Sequence, residues 1–591
     1  MKNSKKILKT WLLLFLIVIF AFGLRILWLD RVPIAISDDE LDYVLDAKSI
    51  FLSGRDISGG WSPLSLSTPP HQVPKAELPY LMVVPIIGPL NLSLFSARLP
   101  YVIWNIVLLI ILFFIAKKFW GQRAALVVTA VMAINPWSFY FSRTAFEAPL
   151  ATTLYLIALC LLIYLKGWWL LLTFPFFFLA FFTYLGTKII FPLFVLTVCF
   201  YSWHVVNRKK FTKQYLILIL LSLLPLAWFL LSMKTQPVGS RISELFSPFS
   251  QVVVQTVDNE RRLSMITPVA AIFSNKLVVF LKLSLEKYLG IFSPDFLFLH
   301  GEGRATFSLW YHGLFYYLDF IFLILGAIFL FSRDKRTWLF LIALIAIAPL
   351  PAVASVSGIE YALRGALLYP IFILLIGLGI WVVISLKKDK RFRIGVAALI
   401  MILYLLQLFN FLNIYFFRNP IYNSEGFGFS NRVLFRYVSL AKQKASRVLV
   451  ITRNESGPFK QNLFYSNDYN KSTLTKVREV LNQGKYQWGN IHFLSGCPQN
   501  LILAKDEVAI LLPESRCLDE KEYPAWLSIS QLSDGGEIYR IFNDSLCRDF
   551  ELNRYPQGIK FGDFKVEELS TAQFCQRFIS DLTGYSEVKV R

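Results

Sequence analysis

Charged residues in this chain gather at the ends of long apolar runs, and the densest group is acidic. It is Ser37-Asp38-Asp39-Glu40-Leu41-Asp42-Tyr43, directly after the apolar run Trp11 to Leu29. Carboxylates just past a membrane span stand in water at the membrane face, within reach of a lipid head group. A carboxylate there can deprotonate an acceptor hydroxyl or amine, or hold a divalent ion. The plainer reading is a solvated loop or a helix first turn, where the dipole favours acids.

The counterpart cations lie further along the chain. Lys75 sits in His71-Gln-Val-Pro-Lys-Ala-Glu-Leu-Pro-Tyr80, just before the short apolar stretch Leu78 to Leu90. A cation there suits a lipid phosphate, since a charge-assisted hydrogen bond contributes roughly 1.5–3 kcal/mol; an ordinary interfacial lysine is the alternative. Arg143 follows Asn135-Pro136-Trp137, Lys188 closes Tyr184-Leu-Gly-Thr-Lys188, and Arg364 closes Glu360-Tyr-Ala-Leu-Arg364. Each puts a cation at the boundary of an apolar helix, where charge is costly unless paired or solvated. A single case is explained by snorkelling, and Arg143 with Glu147 has the spacing of an intrahelical pair. His300-Gly-Glu302-Gly-Arg304 reads as a loop turn or as a metal or acid/base site. The sequence requires no cofactor and is compatible with a divalent metal.

Membrane spans must position these groups. The chain has 591 residues and is 55% hydrophobic, above the 45–50% apolar content of ordinary soluble proteins. Apolar stretches of about 20 residues recur, long enough to cross a hydrocarbon core about 30 Å thick. The formal charge of +21 comes largely from short basic clusters between these stretches. That pattern sets topology rather than binding nucleic acid. The clusters are Lys2/Lys5/Lys6/Lys9, Lys117/Lys118/Arg123, Lys166, Arg208/Lys209/Lys210/Lys213, Arg333/Lys335/Arg336 and Lys387/Lys388/Lys390/Arg391/Arg393. With all of them cytoplasmic, spans fall at about 11–29, 98–116, 124–137, 147–165, 168–185, 189–203, 214–232, 311–331, 338–355, 364–386 and 395–416. Trp11 to Leu29 is then a retained first span, not a signal peptide. Leu78 to Leu90, broken by Pro and Gly, is re-entrant or interfacial.

The expected fold class is a polytopic α-helical membrane protein of about eleven spans with a C-terminal extracytoplasmic α/β domain. Residues 1–416 form the membrane domain, with outer loops 30–97 and 233–310, and 417–591 the soluble domain. In the latter, Arg447 to Ile451 and Val508 to Leu512 read as buried strands and Thr473 to Gln483 as a helix. Cys160 and Cys199 fall within spans, whereas Cys497, Cys517, Cys547 and Cys575 all lie in the tail. An even number outside suits disulfides; sequence order favours 497 with 517 and 547 with 575, and three pairings remain open.

Taken in order, these motifs resemble the membrane-embedded C-type glycosyltransferases. The resemblance is to bacterial relatives of protein O-mannosyltransferases and of lipid A aminoarabinose transferase, and covers about residues 25–400. It rests on Asp39-Glu40, Gly54-Arg55-Asp56, Lys75 with Leu78-Pro79-Tyr80, Ala97 to Pro100, Asn135-Pro136-Trp137 with Ser142-Arg143, Phe292 to Gly301, and Arg364. It implies transfer of a sugar from a polyprenyl-phosphate donor to an extracytoplasmic acceptor, with inversion, at a plasma membrane. By resemblance Asp39 is the catalytic carboxylate, Glu40 its positioning neighbour, and Lys75 with Arg143 or Arg364 hold the phosphate. Tyr184, Lys188 and His300 are further candidates. Many relatives have Lys-Pro-Pro-Leu where this chain has Lys75-Ala76-Glu77-Leu78. The rival classes are a flippase for a lipid-linked glycan and a non-catalytic envelope-assembly protein. A transporter would show internal repeats and charges in mid-span.

Overall fold

A computed structural model describes residues 2–67, 69, 75–206, 213–235, 246–265, 267–356, 361–387, 389–498, 501–515, 517–518 and 527–582. His71, Arg208 to Lys210, Glu360 and Lys388, all singled out above, lie outside these. The chain divides into two compact units. One comprises Met1–Leu27, Pro63–Met82 and Tyr101–Phe411; the other comprises Trp28–Ser62, Val83–Pro100 and Leu412–Arg591.

The first unit is helical, and the chain is a multi-pass membrane protein. Among the described residues eight helices are long and apolar enough to cross a bilayer. They are Leu8–Ile26, Leu94–Trp120, Glu147–Tyr164, Thr187–Val206, Lys213–Ser232, Lys335–Val353, Leu368–Ser385 and Lys390–Tyr422. The stretch expected as one span at 124–137 is instead a bent pair, Gln122–Ile134 and Pro136–Ser142, at 56°. Pro136 explains the break: it has no N–H to donate, and it disfavours helical backbone at Asn135. Asn135 is extended and its side chain caps the second piece at Ser138 N. The remaining two expected spans match a shorter apolar stretch, Gly167–Thr183, and a 17-residue helix, Tyr317–Arg333. The segment Pro79–Ile87 is a nine-residue helix, about 13 Å long at 1.5 Å per residue, far short of a span.

Two features lock this bundle. Helices Tyr317–Arg333 and Leu368–Ser385 cross in backbone contact at Gly326 and Gly379; a Cβ on either would collide with the facing carbonyls of Leu375 or Phe322. Buried Arg25 donates to Asn105 Oδ1 (2.8 Å), Ser138 Oγ (2.8 Å) and the carbonyls of Ala21, Met132 and Ala133. The carbonyls at residues 132 and 133 belong to a helix end and have no intrahelical partner, so a fully buried guanidinium finds enough acceptors to be satisfied.

The second unit is built on a seven-stranded sheet. Its strands are β1 (Arg447–Thr452), β2 (Gln487–Trp488), β3 (Ile491–Ser495), β4 (Glu507–Leu511), β5 (Leu527–Ser530), β6 (Glu537–Phe542) and β7 (Ile579–Asp581), in the order β2-β3-β1-β4-β6-β5-β7. β1 lies parallel to both β3 and β4, with Val448 opposite Ile491 and Val508. A strand covered on both faces must be apolar throughout, and Val448 to Ile451 is. One face packs Leu449, Ile451, Ala509, Leu511 and Phe542 with Leu503. Helices Ser456–Tyr465 and Leu474–Gln483 form the β1 to β3 crossover. Disulfides join Cys497 to Cys517 and Cys547 to Cys575. Cys160 and Cys199 are free and buried in the helical unit.

Candidate functional site

The acidic run opens the helix Asp38–Ser53, and its four acids have different environments. Ser37 is the N-cap of a reciprocal capping box with Glu40. The Glu40 carboxylate accepts from Ser37 N (3.0 Å) and Ser37 Oγ (3.1 Å). It also faces the Arg98 guanidinium at 3.9 Å, with both side chains fully buried. Arg98 donates in turn to Pro33 O (2.6 Å) and Ala35 O. Glu40 therefore organises the turn. Asp38 accepts from Gln461 Nε2 at 2.9 Å. Burial pushes its pKa up, only partly offset by that hydrogen bond, and Asp42 and Asp39 push the same way. Asp42 pairs with Lys460 at 2.8 Å. Burial opposes the Lys460 charge, yet Asp42 outweighs it and raises the lysine above its ordinary value. Asp38 and Asp42, expected to be solvated or capping, are thus held by two side chains more than 400 residues away in sequence. Asp39 stands in the same first turn with its side chain exposed.

Gly54-Arg55-Asp56 shapes the loop after this helix. Gly54 is its left-handed C-cap, a conformation that suits glycine. Buried Asp56 accepts from Trp61 N (2.9 Å) and Ser58 Oγ (2.6 Å).

In the helical unit the expected cations separate into distinct settings. Lys75 is 4% exposed, and Glu77 two residues on is 1% exposed. Both Glu77 oxygens accept from Lys188 Nζ, at 2.9 and 2.8 Å. Lys188 Nζ also lies 4.1 Å from the Phe229 ring centre. Lys188 is committed to a buried ion pair. The next residue, Leu78, donates its N–H to Phe182 O at 2.8 Å, fixing the chain just past Lys75. Arg143 is fully buried and donates to Arg25 O (2.5 Å) and Leu27 O (2.8 Å). It ends the helix Pro136–Ser142, whereas Glu147 opens Glu147–Tyr164. The two do not share the single helix that their spacing predicts.

Arg364 is half-buried. Its guanidinium is 4.6 Å from the Tyr361 ring centre and is hydrogen-bonded with Tyr184. Beside it stands the group around Glu302 and Arg304, which the sequence leaves open as a loop turn or as a metal or acid/base site. Glu302, 1% exposed, accepts from Ala362 N at 2.8 Å and pairs with Arg304. The Arg304 guanidinium lies 3.5 Å from the Tyr361 ring centre. Burial raises Glu302 to about 7 against the pull of Arg304. Lys287 donates to Ser355 O at 2.5 Å; burial, and then the Arg364 charge, lower it to about 8. The structure thus brings Tyr184 and Arg364 together with Tyr361, Glu302, Arg304 and Lys287. The readable sign was two opposite charges flanking Gly303 in a loop; the 60-residue separation from Ala362 hid the rest. His300 is exposed and pairs with Asp295 at 2.6 Å. Among the described residues no group of three or more His, Cys, Asp or Glu stands close enough to hold a metal.

No family model and no curated protein sequence matches this chain. Among solved structures it is similar to ArnT from Cupriavidus metallidurans bound to undecaprenyl phosphate, at 13% identity and a TM-score of 0.48, over 90% of this chain and 98% of that one. It is also similar to the Archaeoglobus fulgidus oligosaccharyltransferase tethered with an acceptor peptide, at 13% identity and a TM-score of 0.43, over 80% and 68% of the two chains. The same oligosaccharyltransferase in complex with Zn and sulfate gives 11% identity and a TM-score of 0.42, over 89% and 73%. At these identities and scores neither carries a residue role over to this chain.

Proposed function

We propose that this protein transfers a sugar from a polyprenyl-phosphate donor to an extracytoplasmic acceptor, with inversion at the anomeric carbon. The observation that carries the reading is the division of labour in the acidic turn. Glu40 binds the N-cap and faces Arg98, while Asp38 and Asp42 are engaged by Gln461 and Lys460. Asp39 is exposed in the same first turn, directly after the first span.

In the proposed step the Asp39 carboxylate takes the proton of an acceptor hydroxyl or amine. The acceptor atom bonds to the anomeric carbon as the bond from that carbon to the phosphate oxygen breaks. The electron pair leaves with the polyprenyl phosphate. That leaving group is already acidic, so it needs charge stabilisation more than protonation. Arg364, oriented by Tyr361 and Tyr184, is the first cation we assign to the phosphate, with Lys75 second. Arg143 follows, since the carbonyls of Arg25 and Leu27 already engage its guanidinium. Glu40 acts as a positioning residue. The reading is compatible with a divalent metal.

The basic clusters favour a cytoplasmic N-terminus and an outer C-terminal domain in a plasma membrane. The two disulfides support the outer placement of that domain. Purified protein incubated with polyprenyl-phosphate sugars tests the reading. Release of polyprenyl phosphate coupled to glycosylated acceptor supports it. Movement of intact donor across vesicles without cleavage would establish a flippase instead, and neither result would establish an assembly protein.

A further inference from the structure

The segment that carries Asp39 is gripped by the sheet domain, residue by residue, and all of these contacts lie within one compact unit. Arg432 Nη1 donates to Ile34 O at 2.5 Å and is itself held by the Glu567 carboxylate through two hydrogen bonds. Ile36 N donates to Tyr465 Oη at 3.3 Å. Gln461 holds Asp38 and Lys460 holds Asp42, each through one short hydrogen bond. The far end of the same helix is held too. Arg478 Nη2 donates to Ser53 Oγ at 2.6 Å and to Asp56 O at 3.2 Å.

These donors are not scattered. Lys460, Gln461 and Tyr465 lie on helix Ser456–Tyr465, and Arg478 on helix Leu474–Gln483, the two helices that connect β1 to β3. A parallel β1–β3 pair requires a crossover of a dozen or more residues. Here both helices of that crossover contact the helix Asp38–Ser53, one at its start and one at its end. Arg432 is 3% exposed, so its ion pair with Glu567 holds a buried fork at a fixed angle. An isolated helix of 16 residues is marginal in water; this one is clamped at both ends.

We propose that the sheet domain is a positioning element for Asp39. Its crossover helices fix the position and rotation, against the sheet, of the helix that carries the base. This rests on the assignment of Asp39 made above. Lys460 and Gln461 neither touch substrate nor react; they hold Asp42 and Asp38, the residues on either side of Asp39 in the turn. A base held in line gains much of its rate from orientation, and small misplacements are costly.

The experiment uses full-length protein in nanodiscs, with a panel of undecaprenyl-phosphate hexoses and pentoses as donors. The double variant Lys460→Met/Gln461→Leu is expected to lose about tenfold or more in kcat with donor KM within about twofold, and restoring the charge with Lys460→Arg/Gln461 intact recovers most of the rate. In parallel, an Asp39→Cys variant carrying a nitroxide reports local order without needing activity. Its spectrum should narrow when Lys460→Met/Gln461→Leu is added. An unchanged kcat and an unchanged nitroxide spectrum would overturn the proposal. So would a kcat loss that merely tracks loss of monodisperse protein. Full activity of Asp39→Asn would instead defeat the assignment of the base, whatever the nitroxide reports.

Discussion

The buried pair Glu77–Lys188 gives the sharpest stability prediction. Its side chains are 2% and 5% exposed, with Nζ and oxygen 2.8 Å apart. At an effective dielectric of 20, unit charges at that distance attract by about 6 kcal/mol, most of it offset by desolvation. Removing one partner leaves the other charge buried and uncompensated, at a cost of roughly 3–5 kcal/mol. Glu77→Gln and Lys188→Met should each fall in that range. The double variant Glu77→Met/Lys188→Met should cost no more than either single change, because it buries no orphan charge. The assay is denaturant-induced unfolding in nanodiscs, run as a double-mutant cycle, with donor KM measured beside it. Loosening segment 75–78 should raise donor KM for both single variants alike. Additive costs, or single costs below about 1 kcal/mol, would refute the reasoning. A far larger KM effect for Lys188→Met than for Glu77→Gln would return Lys188 to the list of substrate contacts.

Three other outcomes are expected. Burial raises Glu302 from an ordinary value of 4.5 to about 7. Between those two pH values the folded chain therefore binds the extra proton, so stability falls as pH rises through that window, by up to about 3 kcal/mol. Unfolding of wild type followed from pH 4.5 to 7.5 should show the slope, and Glu302→Gln should flatten it. Gly379→Val should separate the Tyr317–Arg333 and Leu368–Ser385 helices, lowering the thermal midpoint sharply, whereas the exposed Gly23→Val on the first helix should leave it nearly unchanged. Cys547→Ser/Cys575→Ser opens a loop with a sequence separation of 28, which costs about 3–4 kcal/mol by the chain-entropy relation. The loss should appear in unfolding of the sheet domain followed by near-ultraviolet circular dichroism.

Much of this architecture is readable from composition because the bilayer demands it. Eight of the expected spans coincide with helices long and apolar enough to cross a bilayer, since about 20 apolar residues have few other options in lipid. Arg447 to Ile451 is legible as a buried strand for the corresponding reason: continuous apolar residues suit a doubly covered parallel strand. Breaks were harder to place. Asn135-Pro136 reads as the end of one span, and the structure bends the chain there by 56° and starts a second helix.

The site was legible only where its contacts are local. Ser37 with Glu40 three residues on is a capping box visible in the string itself. The partners of Asp38, Asp42 and Glu77 lie 423, 418 and 111 residues away, and no periodicity encodes such distances. Lys188 and Arg143 look alike in sequence, as cations at helix boundaries. One neutralises Glu77 while the other donates to Arg25 O, and only tertiary structure distinguishes the two settings.

The central claim is that Asp39 is the base of a sugar transfer. Its most direct test is the transfer rate of purified Asp39→Asn from polyprenyl-phosphate donors, beside wild type and Asp38→Asn at equal levels of inserted protein. The account predicts a loss of roughly 10²–10⁴-fold for Asp39→Asn, the range of general-base catalysis, and a much smaller loss for Asp38→Asn. Wild-type turnover by Asp39→Asn would contradict it.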